Sequence, residues 1–397
     1  MKRSVKTVVL ATLLLAGTAT AVGLLPDARK PQPPAQLPAE VARHRPSIEV
    51  VFVLDTTSSM SGLIDAAKNN IWSIASTMAS AQPAPEMQMG LVAFRDRGDA
   101  YVTRVYDLSR DLDSMYAALM DFKAEGGGDG PESVNAALYA AVNQMQWSTD
   151  PDSYKVIFLV GDAPPHMDYQ GEVQYPEILR QATARGIIVN CIQAGDQTDT
   201  RTTWQHIASL NQGQYFQVSQ SGSAVAVHTP FDEKLAQLAQ QLDDTRVFYG
   251  DRDQRAALAS KEAAAEKVRK AAPAAVQAKR AEFNASTAGA DNFLADSELV
   301  DAVVSGKVKL ETLKKDQLPE SLQSLSVEQQ QKLIAEQAEQ RQQLKAEIAR
   351  LGAQRQQYIQ NHISEETLAE SLDAKLYSTV REQAKAKGLR YESAPSL

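Results

Sequence analysis

Cysteine is almost missing from this chain: Cys191 is the single one among 397 residues. One thiol excludes an internal disulfide, a four-cysteine zinc site and Cys-x-x-Cys chemistry. It lies in the apolar run GIIVNCIQAG, where a lone cysteine reads as a small buried core residue. No Gly-x-Ser-x-Gly elbow is present, no phosphate loop ending in Gly-Lys-Ser/Thr, and no kinase loop set. Excess basic charge is missing too. The formal net charge of -8 favours solubility and argues against a general nucleic-acid binder. What remains is ordinary globular material, 43% hydrophobic and 23% charged, long enough for about two domains.

The first residues predict export. Lys2, Arg3 and Lys6 precede an apolar core from Val8 to Leu15, and GTATA ending at Ala21 offers small residues for cleavage. The apolar stretch from Val8 to Leu25 is near the lower length of a membrane span, so residues 1–21 read as a signal peptide or an uncleaved anchor. No cysteine follows, which argues against a lipoprotein. Either reading places the rest of the chain outside the cytoplasm, in the periplasm or cell envelope. Residues 22–46 are proline-rich and read as an extended linker.

From residue 47 to 249 apolar strands alternate with helices. IEVVFVLD, MQMGLVAFRD, YKVIFLVGDAPPH and IIVNCIQAG are near-continuous apolar runs, as expected for parallel strands covered on both faces. YVTRVYDL alternates more and fits an edge strand; GQYFQV is a further short strand. GLIDAAKNNIWSIASTM, DLDSMYAALMDF, PESVNAALYAAVNQM, PEILRQATARG, TTWQHIASL and FDEKLAQLAQQLDDT carry helical spacing. The pattern predicts an α/β domain, a doubly wound and mostly parallel sheet whose ligands bind beyond the carboxyl ends of the strands. Residues 250–397 are rich in helix formers, broken or kinked at Pro273. A heptad from Val327 places Ile334, Leu344, Ile348, Leu351 and Tyr358 at a and d. Gln330, Gln337, Arg341, Arg355 and His362 interrupt it. That seam is weak and suits a helical hairpin packed on its own neighbours better than a long dimeric coiled coil.

The predicted strand ends gather carboxylates. The first gives Asp55, with Thr57 and Ser59 on alternate residues; the second gives Asp96. The loop GGGDGPES gives Asp129 and Glu132, and the strand from Tyr154 gives Asp162 and then His166. Such crowding raises mutual repulsion unless a cation intervenes. All-oxygen ligation fits a hard ion, Mg²⁺, Mn²⁺ or Ca²⁺, rather than zinc. Singly, each feature has a plainer reading. Asp55 and its hydroxyls could cap the helix near Ser61. Asp162 could form an Asx turn before Pro164, and the glycines could form a flexible turn. The joint placement at strand ends favours a site.

DTTSSM resembles the Asp-x-Ser/Thr-x-Ser signature of von Willebrand factor type A domains, whose metal-ion-dependent adhesion site binds Mg²⁺ or Mn²⁺. The resemblance covers roughly residues 47–245. It implies Asp55, Thr57, Ser59 and Asp162 as metal-site residues. The middle loop departs from the usual threonine pattern and resembles integrin β-subunit domains, which implies Glu132 as the middle-loop ligand. Asp96 and Asp129 would then resemble part of a neighbouring calcium site. Gly127 replaces the asparagine of that family, and Ser61 and Gly62 stand where it has paired aspartates. The helical region looks like extensions on exported bacterial proteins with this domain.

The resemblance implies an interaction module in which a partner's Asp or Glu completes the shell of a divalent cation. The alternatives are a metal-dependent hydrolase or phosphatase, with His166 as base, and an envelope scaffold acting through the helical region. Against the phosphatase, no second Asp stands two residues after Asp55.

Overall fold

The computed structural model describes residues 45–392 except 129, 222–226, 296, 365–366 and 368–370. The expected signal segment and most of the linker lie outside the described residues. Among the described residues no helix is long and apolar enough to cross a membrane.

Six strands form one sheet in the order β3-β2-β1-β4-β5-β6. They are β1 (Ser47–Asp55), β2 (Glu86–Phe94), β3 (Thr103–Ser109), β4 (Tyr154–Gly161), β5 (Ile187–Ala194) and β6 (Tyr215–Val218). All pairings are parallel except β2 with β3, so the alternating YVTRVYDL segment is an antiparallel edge. The strand order reverses between β1 and β4. In such sheets ligands bind outside the carboxyl ends of the strands beside a reversal of this kind.

The apolar runs are continuous because both faces are covered. Val50 and Leu54 of β1, with Val156, Phe158 and Val160 of β4, pack into one core; Val51, Val53, Ile157 and Leu159 pack into the other. The second core is closed by α3 (Val134–Asn143), α4 (Tyr175–Ala184) and α5 (Thr198–Leu210). The first is closed by α1 (Ser61–Ala79), α2 (Leu112–Met120) and, from the far end of the chain, by residues 372–389.

Among the described residues the remaining α-helices are α6 (Asp232–Asp243), α7 (Arg252–Ala271), α8 (Ala274–Ala285), α9 (Ala290–Leu294), α10 (Leu299–Val304), α11 (Glu320–Gln323), α12 (Val327–His362) and α13 (Leu372–Ala384). Pro273 separates α7 from α8, as its missing N–H requires. These helices join the α/β part in one compact unit, Arg45–Leu397. Phe283 of α8 packs against Trp72 of α1, ring centres 5.7 Å apart. Leu372, Leu376 and Val380 of α13 enter the core above β1 and β4. Lys375 donates to the Gln217 carbonyl at 3.1 Å, tying α13 to β6.

α12 is one 36-residue helix, and no coiled-coil seam is evident along it. Three of the polar residues that interrupt its heptad are buried in contacts with the same chain. Gln330 donates to the Leu322 carbonyl, Arg341 forks onto Glu298, and Arg355 pairs with Asp232 at 2.9 Å.

Candidate functional site

Asp55 ends β1 and is buried. Its Oδ1 accepts from the Thr57 backbone N–H at 2.8 Å and from Thr57 Oγ1 at 2.7 Å. Ser59 Oγ lies 3.3 Å from Thr57 Oγ1. The three side chains therefore run in a row from the buried carboxylate to the exposed Ser59. The hydroxyls do not cap a helix: the short 3-10 turn from Ser58 and α1 itself both begin without a side-chain cap. Because Thr57 gives its proton to Asp55, its oxygen is left as an acceptor toward Ser59 Oγ. Thr56 points the other way, donating to the Phe94 carbonyl and meeting Tyr101.

Asp162 follows β4, the strand hydrogen-bonded to β1 across the switch point. A Cβ built on Gly161 would stand 3.1 Å from the Asp55 Cβ, so the two strand ends press together. Glu132 is buried. It is fixed by its backbone, which donates to the Pro164 carbonyl and accepts from the His166 N–H. The glycine loop passes over this group. A Cβ on Gly127 would meet Thr57 Cβ at 3.1 Å and Glu132 Oε1 at 3.3 Å, so those two side chains flank the same point. Gly126 and Gly127 both have φ +79°, a conformation that glycine adopts without strain. The loop is shaped backbone rather than a loose turn.

The electrostatics are unfavourable for bare carboxylates. Burial, opposed by the Thr57 hydrogen bonds, pushes Asp55 up to about 7, with Asp162 adding to the rise. Burial pushes Glu132 up to about 9, helped by Asp55, Asp96, Asp99 and Asp162. Asp55 Oδ2 and Glu132 Oε2 are buried without a hydrogen-bond partner. Two orphaned acceptors in acidic surroundings, beside the buried Thr57 and exposed Ser59 hydroxyls, fit a hard cation. Among the described residues no group of three or more His, Cys, Asp or Glu is arranged to hold a metal ion.

Asp96 is differently engaged. Its Oδ1 accepts from Ser133 at 2.7 Å and its Oδ2 from Tyr169 at 2.6 Å, with His166 Nε2 3.4 Å away. Its expected companion Asp129 lies outside the described residues. His166 stacks on Tyr169 at 4.1 Å, and Arg97 lies over the same tyrosine ring.

Three residues escape a sequence reading. Asp99 accepts from the N–H groups of Asp96 and Gly127. Buried Arg95 donates to the carbonyls of Thr56 and Lys123, pinning the first loop to the glycine loop. Gln220, after β6, reaches Asp162 Oδ2 at 2.7 Å. Asp99 follows Asp96 in the same strand-end loop and could have been found there; Arg95 and Gln220 carry no local signal.

Residues 49–230 match the family model described as von Willebrand factor A domain. A curated relative, the alpha-protein kinase vwkA of Dictyostelium discoideum, is 26% identical over 121 residues, which is 30% of this chain. The chain spans 19% of that relative's length. Similar solved structures include the SpRpn10 VWA domain, with 14% identity, 44% of this chain and 89% of that one covered, and a TM-score of 0.34. BatB from Bacteroides thetaiotaomicron is 15% identical, covering 45% of this chain and 93% of its own, with a TM-score of 0.33. The α/β part of the chain is similar in sequence to von Willebrand factor A domains and has a fold of that kind. Domains of this kind are generally protein-interaction modules and often use a divalent cation.

Proposed function

We propose that this chain is a metal-dependent protein-interaction module of the cell envelope. Asp55, Thr57, Ser59, Glu132 and Asp162 would hold Mg²⁺ or Mn²⁺, with Ca²⁺ as the further candidate. The bound ion supplies a Lewis-acidic position open to an Asp or Glu side chain of a partner protein.

The observation that carries this reading is the pair of buried, unpartnered oxygens, Asp55 Oδ2 and Glu132 Oε2, at the switch point of the sheet. Burial raises the cost of ionising either group, with Asp162 adding to it at Asp55 and four carboxylates at Glu132. A pocket so built is held at a disadvantage that a cation relieves. The chain's own residues do the rest. Thr57 fixes Asp55, the Pro164 and His166 backbone fixes Glu132, and the glycine loop leaves Ser59 open to solvent.

Titration calorimetry of Mg²⁺, Mn²⁺ and Ca²⁺ into stripped protein tests it, alongside Asp55→Ala. Binding in the wild type and none in the variant is expected, with the variant still folded by circular dichroism. Equal binding by both proteins would remove the site from consideration. Capture with the metal-loaded protein as bait, repeated with EDTA, then tests for the acidic partner.

A further inference from the structure

Gln220 sits at the mouth of the same site and touches two of the loops that build it. Its Nε2 donates to Asp162 Oδ2 at 2.7 Å and to the Ser59 carbonyl at 2.9 Å. Both neighbours are acceptors, so the amide nitrogen, not the oxygen, must face the site. An amide nitrogen has no lone pair to offer a cation. While it holds Asp162, it takes electron density that a cation would need and presents positive hydrogens to the same space.

The strap that carries it is closely fitted. A Cβ on Gly62, in the first turn of α1, would come within 2.9 Å of Ser221 Cα and 3.1 Å of the Gln220 carbonyl oxygen. A Cβ on Gly195, at the end of β5, would fall 2.4 Å from Gln220 Oε1. Two glycines on two elements thus make room for the strap and for its side chain. Beside it lies an open groove of about 690 Å³ lined by Gly195, Asp196, Gln217, Val218, Ser219 and Lys375. An exposed glutamine with that space alongside has somewhere to go when released.

We infer that Gln220 is an intramolecular latch that competes with the cation for Asp162 and must swing off the site before the ion is fully bound. The inference rests on the metal-binding reading above. It assigns residues 219–221 a part in setting cation affinity.

The test measures Mn²⁺ and Mg²⁺ affinity by calorimetry for the full chain, Gln220→Ala, Gly62→Ala and Asp55→Ala. Gln220→Ala removes the amide. Gly62→Ala leaves every candidate ligand in place but presses the strap outward, and alanine is well tolerated in a helix. Both are expected to tighten binding by about three- to tenfold, the net worth of one intramolecular hydrogen bond. Unchanged or weaker binding in Gln220→Ala, with Asp55→Ala inactive, overturns the latch and leaves the metal site standing. Binding that survives Asp55→Ala overturns the metal site, and the latch with it. The Gln220 side-chain amide signals in ¹⁵N spectra give a second readout. They should shift and exchange faster with solvent on Mg²⁺ saturation, and signals that stay fixed also overturn the latch.

Discussion

Tyr154, which opens β4, donates its hydroxyl to Gln383 near the end of α13 at 2.8 Å, across 229 positions of sequence. Gln383 also exchanges hydrogen bonds with Asn190 of β5. Helix α13 is therefore part of the layer that covers the central sheet. Ending the chain at residue 249 would uncover Leu372, Leu376 and Val380 contacts over β1 and β4. Each buried Leu is worth about 1.5–3 kcal/mol, against a net stability of roughly 5–15 kcal/mol for a domain. The truncated chain is expected to lose its near-ultraviolet dichroism and sharp urea transition. In the full chain Leu376→Ala should cost about 2–5 kcal/mol. A truncated chain that melts like the full one would show that α13 is dispensable.

Arg280 of α8 forks onto Asp113 of α2 at 2.6 and 2.7 Å and also meets Asp243 of α6 at 2.8 Å. It is 3% exposed. Arg280→Ala leaves buried Asp113 without its direct counter-charge, while Asp243 keeps Arg246 at 3.3 Å, so about 3–5 kcal/mol should be lost. Pairing it with Asp113→Ala should recover part of that loss. A double-mutant cycle by urea denaturation reads the coupling directly.

Stability without a cation should depend on pH through Asp55 and Glu132. Both are pushed above the ordinary carboxylate range, to about 7 and about 9. Between about pH 4 and these values the folded chain keeps protons that the unfolded chain has released. Unfolded chains then bind fewer protons, so stability falls as pH rises through this window. Urea midpoints in EDTA at pH 5 and pH 8.5 measure the fall. Glu132→Gln should flatten its upper part, and saturating Mg²⁺ should lift the midpoint most at the higher pH.

Gly127 should be sensitive to a single methyl group. At φ +79° a side chain is strained, and the new Cβ would crowd both Thr57 and Glu132. Gly127→Ala is expected to cost about 1–2 kcal/mol of stability and to weaken cation binding more than tenfold. Gly128 has open space at its Cβ and no positive φ, so Gly128→Ala is the matched control and should change neither property.

The α/β order and the carboxylate-bearing loops were legible in the sequence because both are local. A strand covered on two faces must be apolar throughout, so Val50 to Leu54 and Val156 to Val160 declare themselves. Strand-end side chains follow directly, which is why Asp55, Thr57 and Asp162 could be named, whereas Glu132 came from the glycine-rich loop before α3 and its family resemblance. Tertiary structure alone decided that the Asp55 hydroxyl neighbours serve the carboxylate rather than a helix cap, since the choice depends on where α1 turns away. It alone put Gln220 on Asp162 and α13 on the sheet, contacts that span 58 and 229 positions. The polar breaks in the α12 heptad tell the same story. Arg341 and Arg355 look like flaws in a seam, but their carboxylate partners Glu298 and Asp232 lie 43 and 123 positions earlier. Periodicity records which face of an element is buried. Which distant charge meets it there is fixed only when the chain has closed on itself.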